Sequence, residues 1–167
     1  MYGYYGSYMP YHPTAYERDQ IGVNPALVSP KGFEDRTKFL QNVMKAIYNE
    51  REAQLFYRAL YDRAQTPFQR RQIGHALEDE VKHERKLTQL YQMLTGQMPQ
   101  VPMPEAPEIA DFEMSLRDAF EDELEAVELY RNMYMAVHYR EIRDLMLELF
   151  TDEVEHAQRF TYIRAEL

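Results

Sequence analysis

The sequence predicts an all-α protein built as a four-helix bundle. From residue 33 onward, apolar residues recur in alternating steps of four and three, which is the spacing of one face of a helix. No segment has the two-residue alternation of a strand, and the chain resembles itself at an offset of 73 residues. Two similar halves, each with two long helices, predict a bundle made of two helical hairpins.

Composition limits the classes of protein to which the chain can belong. Its 167 residues are enough for one domain with a sizeable core. The net charge of −9 argues against a nucleic-acid binder and against docking on an anionic membrane. There is no cysteine, which excludes disulfides, thiolate metal sites and a cysteine nucleophile. We see no secretory signal and no apolar run long enough to span a membrane, so we expect a cytoplasmic protein.

Residues 1–32 differ in composition from the rest of the chain. Six of the first sixteen residues are tyrosines, mixed with glycine and proline and without helical or strand periodicity. We expect a flexible arm there, of a kind that would suit association with a spore or another coat. The bundle is expected in residues 33–167, with hairpins at 33–95 and 108–167 joined by a proline-rich crossover linker at 96–107.

Turn and capping residues predict where the helices begin and end. Thr66 and Gln69 form a capping-box pattern around Pro67, and Gly96 is a natural stop for the second helix. The break between the third and fourth helices is expected near 137–140, which matches the first turn at the 73-residue offset.

The apolar stripe of the fourth helix is predicted at Ile142, Met146, Leu149, Glu153, His156, Phe160, Ile163 and Leu167.

Charged residues lie on the apolar stripes at equivalent positions of the two halves. Each half has a glutamate on its first helix and an Asp-Glu-x-x-His run on its second. A solvated face is the usual explanation of charges on a helix, but these positions fall on the stripes that should face the core. The matched residues are Glu50 and Glu123, Tyr57 and Tyr130, Asp79 and Asp152, Glu80 and Glu153, and His83 and His156.

Helix geometry predicts that the buried charges of both hairpins meet. The two glutamates of each hairpin are 30 residues apart and symmetric about the turn. At 1.5 Å of rise per residue each lies roughly 22 Å from that turn, so the two stand side by side on neighbouring helices. Glu80 and His83 share one face at a spacing of three, as do Glu153 and His156. Packing the hairpins together therefore brings four carboxylates and two imidazoles to the middle of the bundle.

Such a cluster predicts bound metal. An unpaired buried carboxylate costs several kcal/mol, so the six groups need positive charge among them. Carboxylate oxygens and imidazole nitrogens suit iron or manganese, and two of the glutamates can bridge a pair of ions. Asp79 and Asp152 are predicted behind the cluster, each accepting a hydrogen bond from the histidine of the opposite hairpin, Asp79 from His156 and Asp152 from His83.

Other polar residues on the helices have two interpretations each. Tyr57 and Tyr130 lie seven residues after the stripe glutamates. They are core tyrosines or candidate catalytic residues, which would bond a ligand carboxylate or donate electrons. His75 and His138 have no glutamate three residues before them, and we expect them at the surface or at a helix end.

These motifs resemble the ferritin-like superfamily. The E-x-x-A-x-x-x-Y motif that begins at Glu50, followed by Glu80-x-x-His83, is most similar to the rubrerythrin branch, and the resemblance covers residues 34–167. It implies an up-down-down-up bundle, with the crossover running its full length, and two iron ions bridged by Glu80 and Glu153, with manganese as the alternative metal. The implied ligands are Glu50, Glu80, His83, Glu123, Glu153 and His156.

The resemblance also implies a function. It indicates a non-haem oxidoreductase that acts on peroxide or dioxygen, assembled as a homodimer. Rubrerythrins carry a further carboxylate where this chain has Ala126, and they usually carry a cysteine-rich module, so here an electron donor would be a separate molecule. The alternatives are a ferroxidase that handles iron without an organic substrate, a di-manganese catalase, and a structural metal-bearing bundle with a functional arm. The linker reaches roughly 40 Å, which also permits domain swapping between two chains.

Overall fold

The computed structural model describes residues 29–167, so the tyrosine-rich arm predicted at 1–32 lies almost entirely outside the described residues. Within the described part there is no strand, only an isolated bridge between Phe33 and Val137. The prediction of an all-α four-helix bundle is confirmed. Its helices are α1 (Arg36–Arg63), α2 (Pro67–Thr95), α3 (Phe112–Met135) and α4 (Arg140–Ala165).

Two apolar clusters define the direction of the helices. The first cluster joins the beginnings of α1 and α4 to the ends of α2 and α3. The second cluster joins the ends of α1 and α4 to the beginnings of α2 and α3. The helices therefore run up, down, down and up. Helices α1 and α2 pack as one hairpin and α3 and α4 as the other, with contacts of α1 to α3 and of α2 to α4 between them.

The helix ends that the capping residues predict are confirmed. The Thr66 hydroxyl accepts from the Gln69 backbone N–H at 3.1 Å, and the Gln69 side chain accepts from the Thr66 N–H, so the capping box is complete. Gly96 ends α2 in the left-handed conformation with φ of 73°, which favours glycine. The break between α3 and α4 falls between Met135 and Arg140, in the region predicted.

One position of the predicted stripe on α4 is wrong. Leu167 is 62% exposed, whereas the other seven stripe residues of that helix are all buried. Helix α4 ends at Ala165, so the chain has left the helix before the stripe completes another turn. The periodic pattern therefore continued past the point where a neighbouring helix could cover it.

The crossover between α2 and α3 runs along the whole bundle. It leaves α2 beside the first cluster, where Val101 packs, and enters α3 beside the second cluster, where Ile109 is buried. Arg51 of α1 holds the middle of the crossover. Its guanidinium donates to the Val101 carbonyl at 2.7 Å and pairs with Glu84 at 2.7 Å. This clamp places the later part of the linker, including Glu105, beside the centre of the bundle.

A short segment before α1 closes the end of the bundle at the turn between α3 and α4. Its 3-10 turn, Pro30–Gly32, lies against Tyr139, whose hydroxyl donates to the Ser29 carbonyl at 2.9 Å. A Cβ on Gly32 would come within 2.0 Å of the Tyr139 ring, so a larger residue here would require that ring to move. In the described residues, no helix is long and apolar enough to cross a membrane.

Candidate metal centre

Six ionisable side chains lie in the middle of the bundle, between the two apolar clusters. Every one of them is at most 3% exposed, which is rare for charged groups without strong partners. Helices α1 and α3 each supply one glutamate, while α2 and α4 each supply a glutamate and a histidine three residues later. The six are the residues that the sequence pattern brought together: Glu50, Glu80, His83, Glu123, Glu153 and His156.

The cluster divides into two overlapping sets of four residues. In each set, one potential ligand atom from every residue lies within 4.8 Å of the others. Glu80 and Glu153 belong to both sets, whereas each remaining glutamate and each histidine belongs to one. The sets are Glu50, Glu80, His83 and Glu153, and Glu80, Glu123, Glu153 and His156.

Both histidines turn Nδ1 toward the carboxylates. His83 Nδ1 lies 3.3 Å from Glu153 Oε1 and 3.4 Å from Glu80 Oε2. His156 Nδ1 lies 3.0 Å from Glu80 Oε1 and 3.0 Å from Glu153 Oε2. The two rings stack with centroids 5.9 Å apart. Each imidazole therefore offers one nitrogen to the space that the two shared glutamates enclose.

The other nitrogen of each histidine faces an aspartate of the opposite hairpin. His83 Nε2 lies 3.2 Å from Asp152 Oδ2, and His156 Nε2 lies 3.5 Å from Asp79 Oδ2. Burial opposes the charge of Asp79, but hydrogen bonds from His156 and Lys82 hold its pKa well below the usual range. Such aspartates stabilise the tautomer with hydrogen on Nε2, which leaves the Nδ1 lone pair free. These are the two contacts that the sequence predicts; their effect on a bound metal stays a prediction.

Two buried tyrosines connect the hairpins through the same glutamates. Tyr57 of α1 donates to Glu123 of α3 at 2.6 Å, and Tyr130 of α3 donates to Glu50 of α1. Burial, together with the charge of the bonded glutamate, raises the pKa of both phenols well above the ordinary value. The tyrosines therefore stay protonated and act as donors. A role for them in catalysis stays a prediction.

Four of the six side chains of the metal-free cluster hold protons more tightly than free side chains do. Burial raises the pKa of Glu50 and of Glu123, and the neighbouring carboxylates raise both further. Burial alone would lower the pKa of His83 and of His156, but the hydrogen bonds to Asp152 and Asp79 and the nearby glutamate carboxylates raise both well above the ordinary value. Protons therefore supply positive charge where no cation is bound.

The donor set fits a metal ion. Five buried side-chain atoms of the described residues lack a hydrogen-bond partner, and four of them belong to this cluster. Hard oxygens with imidazole nitrogens suit first-row transition metals. The buried cluster can therefore hold a metal ion. The four unpartnered atoms are Glu50 Oε2, Glu80 Oε1, His83 Nδ1 and Glu153 Oε1.

A cleft of about 360 Å³ opens between α1 and α3 and ends at the cluster. The cleft is lined by two equivalent alanines, Ala53 and Ala126, which lie one turn beyond Glu50 and Glu123. Their small side chains leave the cleft open. Exposed carboxylates line the outer part. Burial and the charges of nearby acidic residues raise the pKa of one of these, Asp122, to about 6. The cluster is thus connected with solvent on the α1–α3 side.

His75 is exposed, as the sequence predicts, but its contacts break the symmetry of the centre and were not predicted. Its Nε2 lies 3.2 Å from Asp79 Oδ2, and its ring stands edge-on to His156 with centroids 6.4 Å apart. The equivalent position in the second half is Glu148, which instead bonds Lys86 at 2.6 Å. The i,i+4 spacing of His75 and Asp79 was the available signal. His138 is also exposed, just before α4, and does not join the cluster.

The fold and the site together define a class: a four-helix bundle whose buried carboxylate and histidine side chains can hold a metal ion. Within that class, the chain is 30% identical to the uncharacterized protein YhjR of Bacillus subtilis (strain 168) over 162 residues. The match covers 96% of this chain and 97% of YhjR, so the chain belongs to the YhjR family. No family model matches the chain.

Solved structures share the fold. A hypothetical protein from Pyrococcus furiosus superposes with a TM-score of 0.69 at 25% identity, over 76% of this chain and 88% of that one. A protein from Xanthomonas campestris also gives 0.69, at 16% identity, over 78% and 90% of the two chains. A two-domain protein from Anabaena variabilis with DJ-1/ThiJ/PfpI-like and ferritin-like domains gives 0.60 at 13% identity, over 81% and 41%. The chain therefore shares its four-helix fold with these structures, one of which contains a ferritin-like domain. Membership of the ferritin-like superfamily and the nearer resemblance to rubrerythrins stay predictions.

Proposed function

We propose that the protein is a dinuclear metal oxidoreductase that acts on peroxide or dioxygen. The observation that supports this most directly is the sharing of Glu80 and Glu153 between two four-residue sets. A carboxylate has two oxygens, so two shared glutamates can each contact two ions. A structural site for one ion would need only one of the sets.

The residues divide naturally between two ions. Glu50 and His83 would hold one ion, Glu123 and His156 the other, and the shared glutamates both. Iron is favoured over manganese by the resemblance to rubrerythrins, while the donor atoms suit either metal. When bound, such a pair supplies Lewis acidity and exchangeable electrons for reactions of oxygen–oxygen bonds.

The chain's own residues would prepare this chemistry. Asp79 and Asp152 orient the two imidazoles, and Tyr57 and Tyr130 hold a proton at the terminal glutamates while restraining their rotation. The apolar clusters keep water from the ends of the bundle. Small neutral oxidants would reach the centre through the cleft between α1 and α3. The chain contains no cysteine, so an electron donor would be a separate molecule.

A second function is iron handling, in which the protein oxidises Fe(II) and uses no organic substrate. The acidic lining of the cleft favours it, because carboxylates attract a cationic substrate. A homodimer, with or without exchange of hairpins through the long crossover, is the assembly that we propose for either function.

Metal analysis with peroxide turnover tests the proposal. The full chain would be freed of metal, loaded with Fe(II) or Mn(II) and measured for bound metal by mass spectrometry. We expect two ions per chain and loss of hydrogen peroxide. Peroxide loss that needs a reductant indicates a peroxidase, and loss without one indicates a catalase. Oxidation of many Fe(II) ions per chain without peroxide turnover would favour iron handling, and a protein that binds no metal would refute both functions.

A further inference from the structure

We infer that the cleft between α1 and α3 is an electrostatic entry path that conducts divalent cations from solvent to the buried centre. This inference rests on the proposed metal-binding function and adds a route and five residues to it. We call the exposed acidic side chains of the cleft the carboxylate rim. Its members are Glu52, Glu105, Asp118, Asp122 and Glu125.

The rim surrounds the cleft on three sides. Glu52 belongs to α1, Asp118, Asp122 and Glu125 belong to α3, and the clamped crossover supplies Glu105. All five rim residues are exposed, and none forms an ion pair within the described part of the chain. Lys45 is the single basic residue among those that line the cleft. Five carboxylates against one ammonium make the opening strongly negative.

The buried residues at the inner end of the cleft, which we call its floor, indicate which kind of ligand enters it. Glu50, Glu80 and Glu153 line it, are at most 3% exposed, and each has a side-chain oxygen without a hydrogen-bond partner. Unpartnered buried acceptors at the end of a negative passage match a cation and not an anion or an apolar ligand. The rim and the floor are thus two separate observations that indicate the same ligand.

Within the described residues, the other sides of the centre are closed. Asp79 and Asp152 cover the outer edges of the two histidine rings on the α2–α4 side. The two apolar clusters fill the bundle above and below the centre. A hydrated ion approaching through either apolar cluster would have to cross packed apolar side chains, which is energetically unfavourable. On the α2–α4 side it would meet aspartates that are already bonded to the histidine rings. The cleft is therefore the side on which carboxylates line the way to the centre, with Lys45 as the single basic residue.

A passage lined with one sign of charge and set between low-dielectric walls concentrates counter-ions and accelerates their association. The effect acts on the association rate and weakens with salt, since exposed charges are screened. The rim should therefore control how fast metal enters, while the six buried side chains control how much metal is bound at equilibrium.

Stopped-flow uptake of Co(II) by the metal-free full chain tests this inference. Visible absorption of Co(II) reports the rate of binding, and mass spectrometry reports the final stoichiometry. The test variant is Asp118→Asn/Asp122→Asn/Glu125→Gln. We expect uptake about tenfold slower than in the wild type at low salt, a difference that shrinks at high salt, and two ions bound at the end.

Two further variants make the result specific. Glu34→Gln/Glu141→Gln/Glu166→Gln removes the same charge from exposed positions that do not line the cleft, and it should keep the wild-type rate. Lys45→Gln removes the cation of the cleft and should accelerate uptake at low salt, a gain that should shrink at high salt as screening weakens the effect of the charge.

The outcomes separate this inference from the proposed function. Suppose that the wild type binds two Co(II) ions, but the rim variant takes them up as fast as the wild type or is slowed only as much as the control. That result would overturn the entry path but not the metal centre. A rim variant with fewer ions at equilibrium would also overturn it, because the rim would then supply ligands. A wild type that binds no Co(II), Fe(II) or Mn(II) would refute the proposed function and the path together.

Discussion

Tyr57 of the first hairpin donates a hydrogen bond to Glu123 of the second, with 2.6 Å between the two oxygens. Its counterpart Tyr130 donates in the opposite direction, to Glu50. Each hairpin thus satisfies a buried carboxylate of the other, and the two halves of the centre depend on each other.

Replacement of Tyr57 by phenylalanine should destabilise the metal-free protein. The change leaves a buried oxygen of Glu123 without its donor, which costs about 1–3 kcal/mol of the free energy of unfolding. Urea unfolding measures the loss. Tyr162→Phe is the matched control, because Tyr162 is 53% exposed and should change stability by less than about 0.5 kcal/mol. Equal effects of both substitutions would show that the bond to Glu123 has no net value.

Glu80→Gln and Glu50→Gln should differ in the number of metal ions that they remove. Glu80 belongs to both ligand sets and Glu50 to one. We therefore expect Glu50→Gln to keep one tightly bound ion and Glu80→Gln to weaken both, as titrated with Mn(II) and counted by mass spectrometry. Two ions at full occupancy in Glu80→Gln would contradict the assignment of Glu80 as a shared ligand.

Asp152→Asn should weaken metal binding without removing a ligand. The amide oxygen can still accept from His83 Nε2, but it lacks the charge that makes the imidazole a better ligand. Loss of such a partner typically reduces metal affinity about 10–100-fold. Competition with a chelator measures the affinity, and Asp144→Asn, an exposed change on the same helix, is the control. Unchanged affinity in Asp152→Asn would mean that the contact has no influence on the metal.

The metal-free protein should lose stability as the pH rises from about 5.5 to about 8. His83 and His156 have a pKa raised above the ordinary 6.5. Their stabilisation is complete below that value and disappears as the pH rises toward the folded pKa. The raised pKa values of Glu50 and Glu123 act in the same direction. The lowered pKa of Glu80 contributes equally across this range, because Glu80 is ionised in both states.

Metal binding should reverse that dependence. Bound ions replace the protons, so uptake releases protons and affinity increases with pH. Calorimetry in buffers of different ionisation enthalpy measures the number released. Urea unfolding of the metal-free and loaded forms over the same pH range gives the two stability curves. A metal-free protein that becomes more stable toward about pH 8 would contradict the charge state described for the cluster.

Much of the fold and of the candidate site can be predicted because apolar and charged residues recur at regular spacings along the chain. The steps of three and four and the 73-residue repeat place the six buried groups on facing stripes, and the structure brings the six together. Periodicity does not show where a stripe stops being covered, which is why the expectation for Leu167 was wrong. Nor does it show which glutamate a tyrosine meets. Tyr57 lies on the same helix face as Glu50, two turns away, but its hydroxyl reaches Glu123 of the other hairpin.

Contacts between different elements were the least accessible to sequence reasoning. Arg51 of α1 clamps the crossover, and His75 Nε2 of α2 lies 3.6 Å from Glu155 Oε1 of α4, through side chains that point away from the apolar stripes. Charged side chains of this kind are long and flexible, and most of them on a helix face solvent. Only the relative placement of the helices and the linker determines which of them finds a partner.

The crossed tyrosine bonds also define the smallest unit that can form the centre. One hairpin carries two glutamates and one histidine, which is half a centre, and its tyrosine has a glutamate partner only in the other hairpin. Two identical hairpins around a twofold axis would complete the same set of ligands. Within one chain each half can also differ from the other, as His75 does from its counterpart Glu148.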